Sequence, residues 1–76
     1  MVIQVILAGP LKKYNGGASQ LELMAEEGWT VADVIRRLGI PDESYSFVSI
    51  AGRKISGEDK LRDHDQVKIF PPVSGG

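Results

Sequence analysis

The sequence predicts an α+β fold: a mixed sheet of four to five strands with one helix packed across it. Three observations carry that prediction. Short β-branched or alternating apolar runs stand near both ends of the chain. A single stretch in the middle repeats its apolar residues at helical spacing. The length, 76 residues, suits one domain with one modest core.

Residues 2–7 are apolar except for Gln4, and four of the six are β-branched, so they form a strand covered on at least one face. Gly9-Pro10 follows, and Asn15-Gly16-Gly17 supplies turn chemistry. Residues 20–24 alternate polar and apolar, a half-buried strand with Leu21 and Leu23 inward. So short a connection makes the two strands antiparallel neighbours.

The helix is the clearest element. Val31, Val34, Ile35 and Leu38 fall at i, i+3, i+4 and i+7 and form one core-facing stripe. Thr30 is placed as N-cap with Asp33 three residues on, a capping box with Asp in place of Glu. Trp29 before the cap can staple to Val34. Gly39 can take the left-handed conformation that ends the helix, Ile40 can fold back onto it, and Pro41 blocks continuation. About nine residues of helix do not hold alone, so a sheet must support them.

Residues 42–45 can make one 3₁₀ turn. Residues 47–50 read as a strand, Ala51-Gly52 as its turn, and residues 53–55 as a short edge strand whose Arg53 and Lys54 discourage unwanted pairing. Leu61 is a lone apolar anchor in a polar connection, and Asp63-His64-Asp65 makes a turn. Residues 66–70 alternate again, with Val67 and Ile69 inward and Lys68 and Phe70 outward. An antiparallel hairpin, a helix across it and further strands completing the sheet make the β-grasp arrangement, in which the first and last strands lie parallel and adjacent at the centre.

Composition narrows the function classes. The chain has no cysteine, which excludes a thiol nucleophile, a redox pair and a thiolate metal site and points to a reducing, cytoplasmic setting. The first residues carry no basic region, and their apolar run is too short to span a bilayer, so neither a signal peptide nor a membrane helix is expected. Nine basic and ten acidic residues give a net charge of −1. Basic and acidic doublets alternate along the chain, a solvated surface without the single-sign basic face that nucleic-acid binding needs.

The strand pattern stops at Phe70. Pro71-Pro72 cannot donate ladder hydrogen bonds, so the sheet ends there, and prolines favour extended backbone. The expected division is a domain over residues 1–70 and a flexible diglycine tail over 71–76, able to reach about 20 Å. Gly75 and Gly76 lack a Cβ, so a narrow channel can close around them and the terminal carboxyl carbon is open to attack. A carboxylate becomes an acyl donor once its oxygen is made a leaving group, as adenylation by ATP does. The bland reading of a diglycine end is a frayed terminus. The pair gains meaning from standing after Pro-Pro, after a last strand, on a β-grasp pattern.

With those residues in place, the chain resembles the ubiquitin-like sulfur-carrier proteins of the MoaD/ThiS family over essentially its whole length. Phe70-Pro71-Pro72-Val73-Ser74-Gly75-Gly76, the acidic turn Asp63-His64-Asp65 and the capped helix from Thr30 to Leu38 carry the resemblance. It implies a carrier rather than an enzyme: Gly76 is adenylated by a partner of the ubiquitin-activating type, which binds the ATP, and is converted to a thiocarboxylate that donates sulfur in cofactor biosynthesis. Pro71, Pro72, Val73, Ser74 and Gly75 would enter the partner's active site, and Phe70 would dock the globule. The carrier itself holds no cofactor and no metal. Further partners implied are a sulfur donor protein and either the molybdopterin synthase large subunit or thiazole synthase, with no role for nucleic acid or membrane. The Phe-Pro-Pro-Val stretch and the longer first loop resemble the molybdopterin type; the thiamine type and a protein modifier conjugated through Gly76 are the alternatives. The sequence departs from the family in having His64 at the centre of the acidic turn and Ala51-Gly52 where Asn-Gly is frequent.

Other constellations read as structure. Asp63, His64 and Asp65 are adjacent turn residues, which rarely converge on one ion. Ser49, His64 and Asp63 make a triad only on paper. Asn15-Gly16-Gly17 joins strand to strand and lacks the lysine of a phosphate loop.

Overall fold

The computed structural model describes residues 1–72. Strands β1 (Val2–Leu7), β2 (Gln20–Met24), β3 (Phe47–Ile50), β4 (Arg53–Ile55) and β5 (Gln66–Phe70) form one sheet in the order β2-β1-β5-β3-β4. β1 and β5 run parallel at its centre, with Val5 opposite Val67 and Leu7 opposite Ile69, and the remaining pairings are antiparallel. Among the described residues one α-helix, α1 (Val31–Leu38), supplies the other layer. This is the expected β-grasp arrangement.

Period-two alternation places the core. Ile3, Val5 and Leu7 of β1 and Val67 and Ile69 of β5 are almost wholly buried, and Val31, Val34 and Ile35 of α1 are buried with them. Leu21, Leu23, Ile50 and Ile55 are half-buried against the same cluster. Among the described residues no second layer covers the opposite face of the sheet.

Local chemistry fixes the helix ends as the sequence predicts. The Asp33 carboxylate accepts the Thr30 backbone N–H at 2.8 Å and the Thr30 hydroxyl at 3.1 Å, completing the capping box. The free N–H groups of Val31 and Ala32 donate to the carbonyls of Asp59 and Gly57, so the connection after β4 satisfies donors that a helix start leaves open. At the other end Gly39 has φ 74°. Its N–H donates to Arg36, the Ile40 N–H donates to Ile35, and Ile40 is buried. That is the paired arrangement of a Schellman cap.

Two connections carry more structure than the sequence reading gave them. Gly9–Asn15 coils as a seven-residue 3₁₀ helix that buries Leu11, with Pro10 in its first turn. The segment between β4 and β5 has no strand of its own, yet Leu61 is only 5% exposed and its N–H donates to the Trp29 carbonyl. The acidic turn stitches β5 to the start of β1. Asp63 Oδ1 accepts the Val2 N–H at 2.7 Å, and His64, at φ 70°, donates its N–H to the Val2 carbonyl. Asp65 Oδ2 accepts the Arg62 N–H at 2.8 Å, closing the turn.

Candidate functional site

The site lies where the last strand ends. Parallel pairing with β1 carries β5 to the edge of the core, and the Ala8 N–H donates to the Ile69 carbonyl at 3.0 Å. One residue on, the Phe70 carbonyl accepts the Ser46 N–H at 2.8 Å. Pro71 is half-buried and sits against Gly9: a Cβ at Gly9 would stand 3.4 Å from Pro71 Cγ, and Gly9 has φ +57°. A side chain there would combine a left-handed backbone with a tight contact, so glycine suits the position. Pro71 therefore packs on the globule, and Pro72 is exposed. Val73, Ser74, Gly75 and Gly76, to which the sequence assigns the tail and its reactive carboxylate, lie outside the described residues.

Phe70 points to the open face of the sheet, as alternation from the buried Val67 and Ile69 requires. It is half-buried because Phe47, its register partner on β3, stacks on it, with ring centroids 4.4 Å apart and planes 17° from parallel. Such a stack contributes about 0.5–1.5 kcal/mol beyond the area it buries. Two ammonium groups sit over these rings, Lys54 Nζ 5.3 Å from the Phe47 centroid and Lys68 Nζ 5.3 Å from that of Phe70. Each cation–π contact at an exposed site is worth about 0.5–1 kcal/mol. Lys68 and Lys54 are both register partners of Ser49, one from each side, so the two lysines flank it about 10 Å apart. A shallow groove follows, lined by Phe47, Ser49, Lys54, Gln66, Lys68 and Phe70.

Sequence reading found Phe70 and missed Phe47, Lys54 and Lys68 as parts of one surface. Phe47 was legible only as the start of a strand, and the lysines only as surface charge. The available signal was the outward parity of Lys68 and Phe70, which extends to Phe47 and Lys54 once the strand register is known.

Asp63, His64 and Ser49 form no site. Ser49 lies on the open face between the two lysines. The Asp63 carboxyl is held below its usual range chiefly by the Val2 N–H, and its other oxygen stands 3.4 Å from the His64 Nε2. Both carboxylates of the turn therefore serve its geometry.

A family model described as the ThiS family matches residues 5–76. Solved structures repeat the whole fold. SAMP1 of Haloferax volcanii, a small archaeal modifier protein, superposes with a TM-score of 0.80 at 19% identity and covers all of both chains. A Pyrococcus furiosus protein designated molybdopterin converting factor, subunit 1, has a TM-score of 0.78 at 24% identity, over 96% of this chain and 99% of its own. A Helicobacter pylori complex of subunits 1 and 2 of the molybdopterin-converting factor contains a chain similar over the full length of both, with a TM-score of 0.68 and 19% identity. No helix among the described residues is long and apolar enough to cross a membrane.

Proposed function

The chain belongs to the ThiS family of small ubiquitin-like sulfur carriers, and from that premise we propose that its C-terminal Gly76 is the atom-bearing end of the carrier. The observation that carries this reading is the end of the sheet at Phe70 followed by Pro71-Pro72, which leaves the diglycine beyond the last ladder bond. The chemistry runs in three steps. A carboxylate oxygen of Gly76 attacks the α-phosphorus of ATP held by a partner of the ubiquitin-activating type, and pyrophosphate leaves. The terminal sulfur of a donor protein's persulfide then attacks the acyl carbon and displaces AMP, and a thiol cleaves the resulting acyl disulfide, so that the thiocarboxylate leaves and the thiol ends in a disulfide with the donor's cysteine. The thiocarboxylate is a good nucleophile by the same logic that makes a thiolate one.

Gly75 lets the partner's channel close on the backbone, and Pro71, Pro72 and Val73 lower the entropy lost when the tail enters it. Ser74 travels with them. Phe70 docks the globule beside the tail. The Phe70-Pro71-Pro72-Val73 stretch favours molybdopterin synthesis, with the chain as the small subunit beside a larger one, over the thiamine thiazole pathway. The structural likeness to SAMP1 keeps a second reading open, in which a lysine amine takes the activated acyl group and forms an isopeptide bond.

Deleting Gly75 and Gly76 tests the reading. Thermal stability should stay within about 1 °C of the full chain, because two terminal glycines have no side chain to bury. Sulfur transfer should be abolished. A deletion that keeps full activity, or that unfolds the domain, contradicts it.

A further inference from the structure

We propose that the open face around the Phe47–Phe70 stack binds an acidic surface of the adenylating partner, with Lys54 and Lys68 making the charge contacts; this rests on the reading of Phe70 as docking anchor. Three observations converge on it. First, the two lysines concentrate positive charge on a chain whose net charge is −1. Among the described residues no carboxylate lies within ion-pair distance of either, and the acid that the strands place on this face, Glu22, belongs to the far edge strand β2. Second, each ammonium stands 5.3 Å from the centroid of one ring of the stacked pair, which gives an aromatic centre flanked by two cations. Third, the rings flank the root of the tail, since Phe70 precedes Pro71 directly. A partner that swallows the tail must therefore pass over this corner.

The complementary surface is an apolar patch rimmed by Asp and Glu. Opposite charge at such a rim speeds encounter and sets salt dependence more than it sets the final contact energy. A purely internal role is the competing account: the lysines could simply shield the rings in the free protein. That role predicts an effect on stability and none on association.

The test is ATP–pyrophosphate exchange by the purified ubiquitin-activating-type enzyme of the same genome, with the full chain as substrate, at about 50 and 300 mM salt. The intact chain should show a KM that rises with salt. The Lys54→Glu/Lys68→Glu chain should show a KM raised at least about tenfold at low salt, an unchanged kcat, and a salt dependence that is flat or inverted. The Lys54→Met/Lys68→Met chain should fall between. Both side chains are exposed, and a cooperative melting transition confirms folding even where loss of the two cation–π contacts lowers its midpoint by several degrees. A Lys54→Glu/Lys68→Glu chain with the original KM and salt slope overturns the proposal while leaving the carrier reading intact. Absence of exchange by the intact chain, or exchange that survives removal of Gly75 and Gly76, overturns the carrier reading and this proposal with it.

Discussion

Replacing Leu61 by alanine removes the one apolar anchor of the ten-residue connection between β4 and β5. Leu61 is 5% exposed and belongs to the core cluster with Val31, Val34 and Ile69. Leucine-to-alanine changes at buried sites cost about 2–5 kcal/mol, the lost transfer term plus the cavity that remains. Collapse around the site is limited, because the neighbouring backbone is already committed: the Leu61 N–H to Trp29, and the Val31 and Ala32 N–H groups to Asp59 and Gly57. A value of about 3 kcal/mol is therefore expected. A domain of this size holds roughly 4–11 kcal/mol in total. Its unfolding entropy is about 160 cal/mol/K, so the melting temperature should fall by about 15–20 °C. Urea unfolding should show the same loss as a lower midpoint with an unchanged slope. Met24→Ala is the control: Met24 is 72% exposed, and its removal should stay within about 0.5 kcal/mol. A fall of less than about 3 °C for Leu61→Ala would refute the claim that this segment is sealed by its one leucine.

Two further changes probe the turns. Ala51 has φ 54° and Gly52 φ 78°, the doubly left-handed pair of a tight hairpin, and asparagine tolerates the first position better than alanine. Ala51→Asn should therefore add about 0.5–1 kcal/mol and raise the melting temperature by a few degrees; a decrease counts against the turn assignment. Asp63 is held below its usual carboxylate range chiefly by the Val2 N–H. Its ionised form favours the fold above the unfolded value of about 3.9, and that contribution disappears as pH falls through the depressed folded value. Asp63→Asn should consequently lower the urea midpoint at pH 5–7 and converge on the unaltered protein at lower pH, whereas a gap constant from pH 7 to pH 2 contradicts the linkage.

The β-grasp order was legible because each element announces itself locally. Val31, Val34, Ile35 and Leu38 mark one helix face, Gly39-Ile40-Pro41 ends it, and alternation around Val67 and Ile69 sets the parity of the last strand. Gly9–Asn15 was not legible as a 3₁₀ helix, because Leu11 among Gly, Pro and Lys carries no period to read. Its burial comes from the sheet beneath it. The docking corner was legible only at Phe70. Phe47 and Lys54 join it through the register of β3 with β5 and β4, a tertiary fact with no sequence motif. The acidic turn was read correctly as a turn, but its work of fastening β1 depends on Val2, 61 residues away.

The central claim concerns one carboxylate, and mass spectrometry of the intact chain tests it most directly. Protein purified from cells whose pathway is intact should contain a fraction in which one oxygen of the Gly76 carboxylate is replaced by sulfur, and the Gly75-Gly76 deletion should show none. A uniformly unmodified C-terminus, recovered while the activating enzyme is demonstrably active, would contradict the account.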